Sequence, residues 1–248
     1  MYLTQTASQL VDALLALAYP QACAICNGSI ENRSLSPACA ECWRATRVFT
    51  GAEAMCLKCG ALAREWPGKS VREGIHCRRC DSQFFSAARA CGFYEGALRE
   101  SVLLLKRQPH LSPHLLSLLV RAAQRPPLSA ATRIIPVPLH SERELRRGFN
   151  QASLIAHGIA SSLDLVIDEA SLVRVAGSDK YRAGLDAKGR LDTVSDAFRL
   201  RFPRLVEGEE ILLIDDVFTT GATASSCAAA LFTAGAKSVF VLTIARPA

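Results

Sequence analysis

The chain has 248 residues, half of them hydrophobic, and a formal net charge of +6. That length and apolar content suffice for a sizeable core and exclude an intrinsically disordered chain, while the positive charge favours anionic partners such as nucleotides, phosphosugars or nucleic acid without choosing among them. From the N-terminus, the apolar stretch Leu10 to Tyr19 is broken by Asp12, has no basic region before it, and is far shorter than a membrane span. An amphipathic helix within residues 1–20 is expected, with no membrane insertion and a cytoplasmic location.

Ten cysteines are many for this length, and eight of them form four CxxC pairs before residue 81: Cys23/Cys26, Cys39/Cys42, Cys56/Cys59 and Cys77/Cys80. Twelve residues separate the inner cysteines of the first set and seventeen those of the second, so each set reads CxxC, loop, CxxC. A CxxC turn presents two sulfurs to one ion, and two such turns on adjoining hairpins complete the four-thiolate tetrahedron of a zinc ribbon. With every position filled by protein, the metal role is structural. Asn27, Gly28 and Gly60 place turn formers directly behind a ligand pair. Disulfides and redox CxxC motifs compete with this reading; a reducing compartment argues against the first, and four regular pairs exceed what the second needs. Pairing within each set is preferred to cross-bracing because each half closes on a short loop. His76 reads as a loop histidine, and Cys91 and Cys227 as small buried hydrophobes. Residues 21–90 are thus expected to form a double zinc-ribbon domain.

The composition changes near residue 90. Residues 91–248 alternate helical periodicity with short aliphatic runs, the pattern of an α/β domain with a largely parallel sheet. GALRESVLLLKR (96–107) and SPHLLSLLVRAAQ (112–124, opening on a Ser-Pro start signal) predict helices, RIIPVPL (133–139) a short strand ended by prolines, and GFNQASLIAHGIASSL (148–163) another helix. ILLI (211–214) reads as a buried strand, TASSCAAALFTAGA as a helix stopped at Gly235, and KSVFVLTIA (237–245) as the last strand.

The stretch ILLIDDVFTTGAT, 211–223, carries the most chemistry. A buried strand would lift Asp215 and Asp216 to its carboxyl end, where open α/β sheets bind ligands. Thr219, Thr220, Gly221, Ala222 and Thr223 would then form a tight loop entering a helix near Ala224. Small residues let backbone N–H groups approach a phosphate, hydroxyls add donors, and the helix dipole favours the anion. Two carboxylates beside an anion site repel it unless they face something else; vicinal ribose hydroxyls suit them, with Mg²⁺ nearby to relieve the repulsion.

This thirteen-residue combination resembles the phosphoribosyl pyrophosphate (PRPP) motif of type I phosphoribosyltransferases. Together with the four CxxC pairs, YEGALRESVLLLKR ending near Lys106, and PVPL (136–139) followed by RGFNQ (147–151), the chain resembles the ComF family of competence-associated proteins, also called GntX-like. The resemblance implies a type I phosphoribosyltransferase-like parallel sheet with helices on both faces over 91–248, behind a small zinc-ribbon domain. It implies that Asp215 and Asp216, the candidate catalytic pair, bind the ribose hydroxyls and that 219–223 wraps the 5′-phosphate. Arg143, Arg146 and Arg147, in a loop after RIIPVPL, and Lys106 are candidates for the pyrophosphate; a solvated mixed-charge loop and a helix-end lysine are the plainer alternatives. One departure stands in the segment 178–198: Gly184, Leu185 and Arg190 match the family's lid pattern, whereas Arg182 replaces its Gln and Thr193 its Asn, which bears on turnover more than on binding.

Two function classes follow. One is Mg²⁺-dependent phosphoribosyl transfer or PRPP sensing linked to DNA uptake and natural transformation. The other is a non-catalytic module binding single-stranded DNA or a DNA-uptake or replication protein, with Arg64, Lys69, Arg72, Arg78 and Arg79 as the basic patch and Trp66, Phe84 and Phe85 as stacking surfaces.

Overall fold

The computed structural model describes residues 21–62, 76–175 and 197–248. Seven strands and six helices can be named in chain order: α1 (Ala40–Ala45), β1 (Ala87–Phe93), α2 (Gly96–Leu105), α3 (Pro113–Ala123), β2 (Arg133–Pro136), α4 (Ser141–Arg147), α5 (Gln151–Leu163), β3 (Val166–Ile167), β4 (Leu172–Arg174), β5 (Phe198–Leu200), β6 (Glu210–Val217), α6 (Ala222–Thr233) and β7 (Ser238–Arg246). Five strands form one parallel sheet in the order β1-β7-β6-β2-β3, and β4 pairs antiparallel with β5 beside it.

The central strands are apolar almost without interruption, as strands covered on both faces must be. Their pleat divides the core in two. Leu212, Ile214, Leu242 and Ile244 face α2, α3 and α5, while Ile211, Leu213, Val239 and Val241 face α6 and the β4–β5 ribbon. Cys23, Trp43 and Ile30 join the first core; Cys56, Cys59 and Cys80 join the second. The helices start where their caps say: the Ser112 hydroxyl accepts from the Leu115 N–H at 3.4 Å, and the Asn150 side chain accepts from the Ala152 N–H at 3.0 Å. Gly235, at φ +89°, sits just beyond α6 as expected.

Three elements differ from the sequence expectations. β1 runs across residue 90, so the change in composition does not coincide with an edge of the sheet. Its small residues have weak strand propensity; pairing with β7 and close approach of the cysteine modules hold it extended. A Cβ on Gly92 would lie 2.3 Å from the Arg47 carbonyl, so this approach tolerates no side chain there. The expected basic loop after β2 is the short helix α4. It presents no apolar stripe, since Leu145 is 88% exposed, so periodicity gives no sign of it. β6 continues through Asp215 and Asp216 to Val217, and α6 begins at Ala222 rather than near Ala224.

Candidate functional site

Because the sheet is parallel, its carboxyl ends share one edge, and a cavity of about 570 Å³ opens there. Its walls come from segments that end or follow strands: Tyr94 after β1, Val137, Pro138 and Leu139 after β2, Asp215, Asp216, Val217 and Thr219 at the end of β6, and Pro247 after β7. Lys106 from the end of α2, Arg143 and Arg147 from α4, Asn150, Gln151 and Ala152 opening α5, Arg174 from β4, and Thr223 from α6 complete it.

The cavity is thus acidic at one wall and basic around it. Lys106 Nζ lies 3.0 Å from Asp216 Oδ2. Asp215 accepts the Asp216 N–H on Oδ1 at 2.8 Å. Burial, reinforced by the neighbouring Asp216 charge, pushes the Asp215 carboxyl up to about 7, against the opposing pull of that N–H and of Lys106 and Arg174. Arg143 and Arg147 stand one turn apart on α4 and so reach the cavity together; Arg146 is exposed and is not part of the wall. Arg147 Nη1 donates to Gln151 Oε1 at 2.7 Å, and Asn150 Nδ2 donates to the Val137 carbonyl at 3.0 Å, tying α4, α5 and the end of β2 into one corner.

Of the expected phosphate loop, Thr219 and Thr223 line the large cavity. Gly221 and Ala222 line, with them, an adjoining hollow of about 20 Å³, which has room for a water but not for a phosphate. Thr220 lines neither; its hydroxyl accepts from the Ala222 N–H at 3.3 Å and so shapes the turn. Gly221 adopts φ +80°, and the Ser225 N–H donates to its carbonyl at 2.8 Å, beginning α6. Tyr94, Gln151 and Arg174 are cavity residues that sequence reasoning did not assign. Gln151 had a usable signal, a polar residue opening an apolar helix, and is 3% exposed. Arg174 had only its place in the apolar run SLVRV.

The cysteines come together in the expected fours. Cys23, Cys26, Cys39 and Cys42 form one group and Cys56, Cys59, Cys77 and Cys80 the other, all sulfurs in a group lying within 4.8 Å of one another. The sulfurs of Cys26 and Cys39 are 3.8 Å apart, those of Cys56 and Cys80 3.6 Å, and those of Cys59 and Cys77 3.4 Å. Sulfurs on a tetrahedron about zinc lie ~3.8 Å apart, and bonded sulfurs ~2.05 Å, so the geometry fits the ion and not disulfides. The two sites repeat each other: Cys39 donates its N–H to Cys23 Sγ and Cys77 its N–H to Cys56 Sγ, each at 3.3 Å. Against burial, which raises it, backbone N–H groups of Cys26 and Cys39 hold the Cys23 thiol down to about 6, and those of Cys59 and Cys77 do the same for Cys56, a preparation for thiolate ligation. His76 stands outside the group, 3.2 Å from Asp81 Oδ1. Cys91 and Cys227 are buried thiols outside both groups.

Around the second group, Phe84 is 58% exposed, whereas Phe85 is 1% exposed and packs edge-on against Phe218 at 5.6 Å, which removes it as a stacking surface. Arg78 and Arg79 are exposed; Arg64, Trp66, Lys69 and Arg72, like most of the segment 178–198 and the helix expected within residues 1–20, lie outside the described residues. Among the described residues no helix is long and apolar enough to cross a membrane.

No family model matches the chain. Among curated proteins, DNA utilization protein YhgH of Shigella flexneri is 30% identical over 216 residues, covering 84% of this chain and 89% of that protein. The YhgH of Salmonella typhimurium is 37% identical over 119 residues, 48% of this chain, a match spanning about half the relative's length (51%). Competence protein F of Haemophilus influenzae is 36% identical over 138 residues, 53% of this chain and 58% of that protein. Among solved structures, the glutamine PRPP amidotransferase from B. subtilis, complexed with ADP and GMP, is 16% identical with a TM-score of 0.40, covering 57% of this chain and 30% of that one. The Shigella match covers well over two thirds of both chains at 30% identity, and the chain belongs to the family of DNA utilization protein YhgH and competence protein F.

Proposed function

We propose that this protein binds PRPP with Mg²⁺ in the cavity at the carboxyl edge of the sheet, and that it transfers or senses phosphoribose in the handling of incoming DNA. The observation that carries the proposal is the convergence of the acidic pair, Thr219 and Thr223 of the 219–223 loop and the cations Lys106, Arg143 and Arg147 on one cavity of about 570 Å³. A ligand that satisfies all three must offer hydroxyl donors to carboxylates, a phosphate to the loop and a further anion to the cations. PRPP has those three parts, with the ribose hydroxyls between the 5′-phosphate and the diphosphate.

In this reading Asp215 and Asp216 accept the ribose hydroxyls, and the loop N–H and hydroxyl groups hold the 5′-phosphate. Lys106 exchanges its Asp216 partner for the diphosphate, where Arg143 and Arg147 provide further donors. Transfer breaks the C1–O bond with its electron pair leaving on pyrophosphate, and an acceptor nucleophile bonds to C1. Mg²⁺ bound with the ligand supplies charge neutralisation of that leaving group. The chain's own contribution is positioning and electrostatic stabilisation, and no covalent nucleophile is required.

The DNA connection is supported by the names of the relatives, DNA utilization and competence. The binding-module reading retains Arg78, Arg79 and exposed Phe84 as its surface. Calorimetric titration tests the first reading: PRPP with Mg²⁺ should bind the wild type and bind Asp215→Asn/Asp216→Asn at least tenfold more weakly. Lys106→Met should weaken PRPP by about tenfold while changing ribose 5-phosphate much less, because the lost cation faces the diphosphate. Equal PRPP affinity in all three proteins sinks the assignment.

A further inference from the structure

The 219–223 loop is backed by the second cysteine cluster. After Cys80, the Gln83 N–H donates to the Cys80 carbonyl at 3.1 Å, and the Phe84 N–H donates to the Ser225 hydroxyl, in the first turn of α6, at 3.0 Å. The Gln83 carboxamide reaches the loop itself. Its Oε1 is buried without a hydrogen-bond partner among the described residues, and it lies 3.4 Å from where a Gly221 Cβ would stand. A second connection leaves the other half of the cluster: the Cys59 carbonyl accepts from Arg246 Nη1 at 2.6 Å, and the Arg246 guanidinium lies 5.5 Å from the Phe218 ring centroid. The rim of that ring comes within 2.8 Å of the same Gly221 Cβ position. Both halves of the cluster are therefore linked to the loop, one through Gln83 and Phe84 and the other through Arg246 and Phe218. The first cluster packs into the core on the opposite face of the sheet, with Trp43, α2 and α3.

We propose that the second cysteine cluster and the 219–223 loop are coupled: with metal held by Cys56, Cys59, Cys77 and Cys80, Gln83 and Phe84 are positioning residues that fix the loop in its anion-binding shape. Without the ion, four crowded thiol groups no longer hold the Cys77–Cys80 turn, and the wall formed by Gln83 and Phe84 loosens behind Gly221. By linkage, an anion in the loop retains the metal to the same degree that the metal favours the anion. The proposal rests on reading the loop as a phosphate site.

Amide hydrogen exchange on the zinc-loaded full chain tests it without any ligand. Gln83→Ala, which keeps all eight cysteines, and Cys80→Ser, which removes one ligand of the second set, should each speed exchange across 219–225 about fivefold or more, and Cys26→Ser in the first set should not. Unchanged exchange in Gln83→Ala and Cys80→Ser, or an equal rise in Cys26→Ser, overturns the coupling. Ribose 5-phosphate, titrated into the same proteins, should bind Gln83→Ala about fivefold more weakly than wild type at undiminished zinc content. Equal affinities overturn the coupling. Absence of binding to the wild type instead overturns the phosphate reading of the loop, and the exchange result then decides the coupling alone.

Discussion

In the proposed site Asp215 would accept from the ligand in a place that disfavours its charge. Burial and the adjacent Asp216 raise its carboxyl from an ordinary 3.8 to about 7 in the folded protein. A raised folded-state value means that the native state holds the proton more tightly than the unfolded chain, so this group's contribution to stability is lost as pH rises from about 4 to about 7. Asp215→Asn should therefore be more stable than wild type at pH 8 by about 1–2 kcal/mol, a margin that shrinks as pH falls toward 4, as thermal unfolding across that range would reveal. No narrowing of the margin toward acid would show that the carboxyl is not perturbed as described. The same variant should bind PRPP poorly, and wild-type affinity should improve as pH rises through 7, since the carboxylate is the better acceptor for ribose hydroxyls. Stability and ligand binding thus pull on this side chain in opposite directions.

The β6–loop–α6 unit depends on one backbone conformation. Gly221 has φ +80°, and an added Cβ would meet the Phe218 ring at 2.8 Å. Gly148, after α4, has nearly the same φ, +79°, but nothing within 4 Å of a Cβ. Alanine at 148 should cost about 1 kcal/mol from the left-handed conformation alone, and alanine at 221 roughly 2–4 kcal/mol, with weakened ribose 5-phosphate binding in the second case only. Denaturant unfolding of the pair separates backbone strain from contact; equal losses would mean that the ring simply moves aside. Element by element, the sequence was most legible where a stripe or cap dictates the form. Ser112-Pro113 opens α3 and Gly235 ends α6, whereas α5 begins at Gln151 behind its Asn150 cap rather than at 148. α4 was missed because its arginines and glutamates face solvent or cavity and leave no apolar period to read.

Across the whole molecule, the two cysteine clusters brace opposite faces of the sheet and meet the edge strand β1 between them. The Phe49 N–H donates to the Cys91 carbonyl at 2.7 Å from one side, and the Ala88 N–H donates to the Lys58 carbonyl at 2.6 Å from the other. Metal at these sites should therefore stabilise the five-stranded sheet as well as the modules. Elemental analysis should find two zinc ions per chain, and stripping them with a strong chelator should lower Tm by 10 °C or more, roughly 3–5 kcal/mol in a chain of this size. Less than one zinc per chain would refute the four-thiolate assignment. The amino-acid sequence by itself determined the two four-cysteine sets, the parallel α/β pattern and the acid pair with its loop, because each depends on local spacing that a short stretch of chain carries. Only the tertiary structure decided that Lys106 pairs with Asp216, that Arg143 and Arg147 but not Arg146 join the cavity, that Gln151 and Arg174 belong to it, and that Gln83 backs the 219–223 loop. Those facts depend on which strands become neighbours and which helix faces turn inward, and no local period in the sequence records that.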